Sequence, residues 1–474
     1  MRPKTVTAAL AALALGLAVA ACSAPVPPRG EATAQTGSVC ARPQGRTPKQ
    51  TPTTIDVVEQ AYFCILGNYY SGSKLDARVL LTAGFAALTR ELDRGGRDVA
   101  ESTMPALTGD RKADWNAFEA AFRKIAGKVP DLDEKLAVVT LEAMVAGLGD
   151  DHAAWQHDPS PTHPDLYDGD RYGLGLSASV SPLQLNGDPE NTLPPLFVTA
   201  VLGGAAQKAG VRPGDLIESI DGSAPFIDGK LTSAAVAALY PRYPDEDPVR
   251  LRLLRESTGR RWSVTLKPDL FQPDLAALQL VRTKLLRDSV AYVQIAAFGP
   301  QVADRALKAV ARLGTLTGIV LDLRGNTGGS PDEVNRLLGA FAHNKITAYQ
   351  CSVDGKCTAM RTDNGVTLLN LPLAVLTDRG CASACEHFSA AVKDLRLGQL
   401  VGTRTAGAVS GLQQPYLLMN NSILGFPSKH HLGPNREQID KVGVSPDHYL
   451  PLTAGDVAAG RDPALSKALS LLPT

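Results

Sequence analysis

The chain has 474 residues, with 48 Lys plus Arg against 48 Asp plus Glu, and 44% of its residues are apolar. That length exceeds what one ordinary hydrophobic core serves, so two or three domains are expected. The balanced charge excludes nucleic acid or an anionic membrane surface as a partner gathered by bulk electrostatics, so recognition must rest on shape and local chemistry.

At the N-terminus Arg2 and Lys4 precede an apolar run from Ala8 to Ala20. The run is too short to cross a bilayer and is followed by small residues, the pattern of a secretory signal over residues 1–21. It ends in LAVAAC, which resembles a bacterial lipobox and implies Cys22 as a lipid-modified first residue, holding the mature protein at the outer face of a cell membrane. Residues 22–54 are rich in Pro, Gly, Ser, Thr and Gln without apolar periodicity and read as a flexible tether. Apart from Cys22, six cysteines remain, an even number in an exported chain and without a CxxC pair, which favours disulfides over metal ligands. Cys351 and Cys357 flank a turn Val353-Asp354-Gly355 that sets them opposite each other on a hairpin if Gly355 is left-handed. Cys40 with Cys64 would tie the tether to the first helical region, leaving Cys381 and Cys385, four apart around Ser383, as either a bridge that stiffens the turn or two small buried thiols.

Over residues 55–165 the stretches LDARVLLTAGFAALTREL, AFEAAFRKIA and EKLAVVTLEAMVAGLG carry apolar residues at spacings of three and four and predict a helical N-terminal domain. Residues 166–270 follow as short strands with one brief helix and a Gly-Asp turn. Their run AGVRPGDLIESIDG closely resembles the signature of a PDZ domain, and Tyr172, Gly173, Leu174, Gly175 and Leu176 match the loop that receives a peptide carboxylate in such domains. A strand edge beside Gly173 and Gly175 can accept an extended peptide as an added strand. Residues 271–474 alternate strand and helix patterns, the mark of an α/β core.

Within that core, GIVLDLRGNTGGSPDEV sets a buried strand before a glycine loop. Ser330, Pro331 and Glu333 read as a capping box with proline at the first helical position, so N–H groups of Gly328 and Gly329 can face a cleft. The Gly-Lys-Ser/Thr ending of a phosphate-binding loop is missing. Ser383 lies midway between Cys381 and Cys385, after the strand LAVLTD and in the first turn of a helix whose apolar face is Phe388, Ala391, Val392 and Leu395. Unsatisfied N–H groups and the positive end of the helix dipole favour an oxyanion beside that hydroxyl. Serine also caps helices, so this stretch alone leaves a structural and a catalytic role open.

In that order LDLRGNTGG, DRGCASACEHF and LVGTRTAGA resemble the C-terminal-processing, or tail-specific, serine peptidase superfamily, and the similarity covers nearly everything after the tether. The resemblance implies a multidomain α/β protein: a helical N-terminal domain, a PDZ domain and a ClpP/crotonase-like α/β catalytic core. It implies Ser383, three residues before Glu386, as nucleophile, with Gly328 or Gly329 and Ala384 as oxyanion donors. The main branch of the family places a lysine base 25 residues after the serine, where this chain has Ala408. Serine at its free pKa is a poor nucleophile, so another base must serve. The tricorn-like branch, which has relatives among retinoid-binding proteins, uses a histidine. LGDDHAAW resembles its D-G-H-T motif and offers His152, with Asp151 in place of the glycine, while DKVGVSPD offers Asp440 to orient the imidazole, an aspartate where the pattern has glutamate, and Asp447 as the fallback. His387, one helical turn past Ser383, is a rival base. His430, His431 and His448 lack acidic or cysteine partners at zinc spacing.

The expectation is a membrane-anchored extracytoplasmic serine endopeptidase that cleaves unfolded or C-terminal peptide segments by Ser-His-Asp acyl transfer, without metal or organic cofactor. Its activity should rise with an imidazole between about pH 6 and 7. A peptide- or hydrophobic-ligand-binding lipoprotein on the same fold, with a vestigial site, is the alternative that the departures at Asp151, Ala408 and Asp440 leave open.

Overall fold

The computed structural model describes residues 40–43, 49–157, 164–165, 169–178, 192–273, 279–287 and 289–473. The signal, Cys22 and most of the tether lie outside the described residues. Periodic apolar residues form α1 (Ile55–Asn68), α2 (Ala77–Arg94), α3 (Arg111–Ala126) and α4 (Asp133–Ala146). Asp76 and Asp110 start α2 and α3 by accepting the N–H groups of Arg78 and Ala113, as N-cap aspartates do. The four helices share one cluster built on Ile65, Leu81, Leu88, Trp115, Phe118 and Leu141, and the same cluster takes in Tyr416, Leu418, Leu424 and Phe426 from far downstream. The helices therefore do not close their core alone.

Part of the expected tether is held down. The Cys40–Cys64 disulfide, with Cα atoms 5.5 Å apart, joins it to α1. Thr51 donates its N–H to the Asn420 carbonyl, and Asn420 Nδ2 donates to Thr53 Oγ1. Residues 49–54 thus lie against a distant turn, whose polar groups they satisfy, instead of forming free tether.

After α4 the chain enters β1 (Ala154–Gln156) and then a small module: β2 (Arg171–Gly173), β3 (Leu176–Ser177), β4 (Ala200–Val201), α5 (Gly204–Lys208), β5 (Leu216–Ile220), β6 (Phe226–Ile227), β7 (Lys230–Leu231), α6 (Ser233–Leu239), β8 (Val249–Arg255), β9 (Arg260–Leu266) and β10 (Asp269–Phe271). Strands β5, β8 and β9 form an antiparallel sheet, and β10 pairs with β2. Along β8 the side chains alternate, with Val249, Leu251 and Leu253 inward and Arg250 and Arg252 outward, as a half-covered strand requires. The inward set meets Leu174, Val198, Ile217 and Leu239 in a core of the module's own.

The last part contains β11 (Val281–Leu286), β12 (Val290–Ile295), α7 (Val302–Ala311), β13 (Gly318–Asp322), α8 (Pro331–Gly339), β14 (Ile346–Cys351), β15 (Cys357–Arg361), β16 (Leu373–Thr377), α9 (Ala384–Asp394), β17 (Gln399–Gly402), β18 (Gln413–Leu417), β19 (Ile423–Pro427), β20 (His430–Leu432), β21 (His448–Tyr449), α10 (Ala454–Ala458) and α11 (Pro463–Ser470). A six-stranded sheet runs in the order β11-β12-β13-β16-β17-β21, parallel except at the β11 edge. Every residue of β13 and β16 is buried because both faces are covered, which is why they read as unbroken apolar runs. Helices α7, α8 and α9 pack on Ile319 and Leu321, and α11 packs on Val320 and Leu376. Cys351 and Cys357 stand opposite each other on β14 and β15 and are bridged, with Gly355 at φ +83°. Among the described residues no helix is long and apolar enough to cross a membrane.

One local expectation fails. Ser330 caps α8 through the Asp332 N–H, but Glu333 does not reach back to complete a capping box. Its carboxylate accepts the N–H groups of Gln301 at 2.8 Å and Ala303 at 2.9 Å. Helix α7 has no cap from its own N-cap side chain, so its orphan donors draw Glu333 across.

Candidate active site

The site is assembled at the carboxyl ends of β13 and β16. Asp378, just past β16, is buried and accepts the N–H groups of Gly325 and Gly380, both at 2.9 Å, which clamps the loop after β13 to the loop after β16. Burial pushes its carboxyl up to about 6. Asn326 adds a second clamp: its Nδ2 donates to the Ile295 carbonyl, its Oδ1 accepts the Gly328 N–H at 2.8 Å, and its carbonyl accepts the Ala382 N–H.

Ser383 occupies the N-cap of α9 with φ +55° and ψ −119°, a conformation that a residue with a Cβ adopts only under constraint. The constraints are visible. Its N–H donates to the Ala408 carbonyl at 2.9 Å, its own carbonyl accepts the N–H groups of Glu386 and His387, and the buried Cys381–Cys385 disulfide spans it with Cα atoms 5.3 Å apart. Ala408, at the position of the family's lysine, therefore does lie beside the serine but brings no amine. Glu386 fixes that neighbouring segment: its buried carboxylate accepts Thr405 Oγ1 at 2.5 Å and the N–H groups of Gly407 and Ala408 at 2.7 Å. Burial pushes Glu386 up to about 7 against the pull of these donors.

His152 arrives from the other end of the chain. Its turn follows α4, and β1 pairs antiparallel with β19, Trp155 opposite Leu424, so that β1, β19 and β18 form one sheet. Trp155 Nε1 donates to Ser422 Oγ, and Gln413 Nε2 donates to the His152 carbonyl at 3.0 Å. His152 Nε2 then lies 3.0 Å from Ser383 Oγ across a sequence separation of 231 residues. Burial holds the imidazole below its ordinary pKa, opposed by the charges of Asp150, Asp151 and Asp440 and reinforced by Lys441. Its Nδ1 is buried and has no hydrogen-bond partner among the described residues.

The two expected acids behave differently from a hydrogen-bonded orienter. Asp440 is close enough for its charge to act on His152, but its carboxylate accepts the Val409 N–H at 3.2 Å and does not bond the imidazole. Asp447 accepts the Leu400 N–H at 2.8 Å and pairs with Lys393 at 3.5 Å, so it serves the β17–α9 junction. His387 is fully enclosed, its ring 5.1 Å from that of His431, and neither of its ring nitrogens bonds Ser383 or any other described residue. His431 is taken by Gln350 and His448 by Gln399.

Gly328 packs so tightly that a Cβ there would fall 2.7 Å from the Ser383 Cβ and 2.9 Å from the Ala384 nitrogen. At Gly329, with φ +134°, a Cβ would lie 2.4 Å from the Phe298 carbonyl oxygen. Because Asn326 takes the Gly328 N–H, the N–H groups of Gly329 and Ala384 are the two left without a partner among the described residues. In the small module, Tyr172 donates its hydroxyl to the Asp245 carbonyl, the Leu174 and Gly175 carbonyls accept the N–H groups of Ala206 and Leu202, Gly173 pairs with Asp269, and Leu176 pairs with Val201.

Residues 289–450 match the sequence profile described as Peptidase family S41. Over those residues the chain resembles peptidase family S41. Over 283 residues it is 28% identical to the chloroplastic carboxyl-terminal-processing peptidase 2 of Arabidopsis thaliana, covering 59% of this chain and 53% of that protein. Over 297 residues it is 29% identical to the carboxyl-terminal-processing protease of a Synechocystis strain, covering 61% of this chain and 67% of that protein. The chain thus spans between about half and two thirds of the length of these curated relatives. A crystal structure of a CPAF mutant aligns with a TM-score of 0.50 at 13% identity, over 80% of this chain and 95% of that one, a likeness that speaks for the fold alone. The positions that sequence reasoning missed are Asp150, Asn326 and Asp378. All three stand inside quoted motifs, yet no local pattern indicates which distant groups their side chains will meet.

Proposed function

We propose that the chain is an exported serine endopeptidase, acting on unfolded or C-terminal peptide segments by acyl transfer. Ser383 is the nucleophile and His152 the general base, and the 3.0 Å approach of Nε2 to Oγ carries the reading. As Oγ attacks the scissile carbonyl carbon, its proton passes to Nε2 and the carbonyl oxygen gains negative charge. The N–H groups of Gly329 and Ala384 supply hydrogen bonds to that oxyanion. Gly328 instead shapes the floor, since its own N–H is committed to Asn326. The imidazolium returns the proton to the leaving amine, and the same base then activates the water that releases the acyl group. Asp440 favours the imidazolium through its field, as a nearby acid does.

The module over residues 166–270 is proposed as a PDZ domain whose Tyr172–Leu176 loop receives a peptide carboxylate. Cys22 is proposed as the lipid anchor. No metal or organic cofactor enters the scheme. A fluorophosphonate probe with a peptidase assay tests the reading: the wild type should be labelled and active, Ser383→Ala unlabelled, and His152→Ala slowed by about 10³-fold or more. Full activity in His152→Ala removes the base, and an unlabelled, well-folded wild type turns the reading to a peptide-binding lipoprotein.

A further inference from the structure

We propose that Asp150 is the positioning residue for His152, fixing the imidazole against Ser383 and holding a negative charge beside it. This rests on the proposed roles of Ser383 and His152. One carboxylate gathers a local donor and two distant ones: the His152 N–H at 2.9 Å, the Tyr69 hydroxyl at 2.8 Å and the Ser410 hydroxyl at 2.5 Å. The Asp150 carbonyl also accepts the Ala153 N–H at 2.9 Å, closing the turn in which His152 sits.

Each donor leads to the site. Ser410 follows Val409, whose N–H binds Asp440, and Ala408, whose carbonyl holds the Ser383 N–H. Tyr69 meets Phe426 of β19 edge-on at 6.1 Å, and β19 is the strand that pairs with β1 just after His152. Asp150 thus ties the turn carrying the base to the segment that locks the nucleophile.

Its charge also has no salt-bridge partner among the described residues, whereas that of Asp151 does. The charged or titratable groups that act on His152 are Asp150 and Asp151 from its own turn, Asp440 and Lys441 from the loop after β20, and His431 from β20. Asp151 pairs with Lys441 at 2.8 Å, and Lys441 acts on Asp440 and Asp150 only through its field. The three side-chain acceptor bonds of Asp150 all come from neutral donors. A hydrogen-bonded acid on Nδ1 is not what orients this imidazole; its backbone is held instead, and the field comes from one residue away.

Asp150→Asn, Asp150→Ala and Ser410→Ala, in the full chain, separate the two parts. Asparagine keeps an oxygen for His152 and Ser410 and lets Tyr69 accept from its amide, so it removes mainly charge. Its expected effect is a several-fold fall in kcat and a shift of the acid limb of the pH profile to lower pH by about half a unit, because the imidazolium loses a stabilising charge. Asp150→Ala should lower kcat by about 10- to 100-fold with KM within about twofold, the signature of a displaced base. Ser410→Ala, which keeps the charge and loses one anchor, should lower kcat about tenfold with the acid limb in place. A folded Asp150→Asn with wild-type kcat and acid limb overturns the electrostatic part. Unchanged kcat in Ser410→Ala overturns the positioning part, even if the Asp150 variants fail to fold. If the wild type itself is not labelled by fluorophosphonate, the proposed function fails and takes this inference with it; labelling with unaltered variants defeats this inference alone.

Discussion

At the scale of single residues, the proposed chemistry depends on a serine held where a side chain is strained and a histidine kept from charging. Ser383 at φ +55° cannot relax while Ala408 and the Cys381–Cys385 bridge hold it. Gly328→Ala would place a Cβ 2.7 Å from the Ser383 Cβ, so the loop or the serine must move. Peptidase activity is expected to fall by about 100-fold or more while the melting temperature changes little enough for the fold to persist. The pH dependence follows from His152. Only the neutral ring accepts a proton, and burial lowers its pKa, so kcat/KM should rise with a midpoint below the ordinary imidazole value of about 6.5. A measured midpoint above about 7 would contradict a buried imidazole base.

At the scale of elements, α9 carries the proposed nucleophile and its own support. Glu386 sits one turn into α9 and satisfies Thr405, Gly407 and Ala408 at once. Glu386→Ala leaves those donors unpaired in a buried place and should cost about 3 kcal/mol in chemical denaturation, with activity lost as the Ala408 carbonyl lets go of Ser383. The carboxyl also has a pH signature. Its folded pKa of about 7 stands above the ordinary 4.5, so the native state keeps a proton that the unfolded chain releases. The stability it contributes is full below about pH 4.5 and is lost as pH rises through about 7; Glu386→Gln should flatten that slope. The disulfide in the same turn spans Ser383, so a mild reductant that opens Cys381–Cys385 should slow fluorophosphonate labelling. Mass mapping that finds Cys385 unlinked in the active protein would refute this. In α7, Glu333→Ala removes a cap supplied by a neighbouring helix and should cost about 1 kcal/mol.

At the scale of the whole molecule, the proposed active site is a joint between two distant parts of the chain, held by shared burial and by the β1–β19 ladder. Phe426 of β19 is fully buried in the cluster of α1 to α4, stacked on Tyr416 at 4.8 Å. Phe426→Ala should cost about 3–5 kcal/mol and also lower kcat, because it loosens the sheet that carries β1 and His152. If stability falls in thermal melts and labelling by fluorophosphonate keeps its wild-type rate, the joint does not position the histidine. The small module has its own core, so a cavity-forming change there, such as Leu253→Ala, tests whether that part acts on the site through packing at all.

By itself the sequence determined what short-range chemistry can express: apolar spacings that built the helices, the unbroken apolar runs of β13 and β16, an even set of cysteines whose three bridges are present, and the motifs of peptidase family S41. The tertiary structure alone decided which side chains answer one another across the chain. Asp440 turned to the Val409 N–H, Glu333 capped α7 instead of its own helix, and Asp150 collected donors from three regions. Periodicity reports that a face will be buried, not what will bury it. The pairing of β1 with β19, on which the 3.0 Å approach of His152 to Ser383 depends, is a contact between segments whose local patterns carry no information about each other.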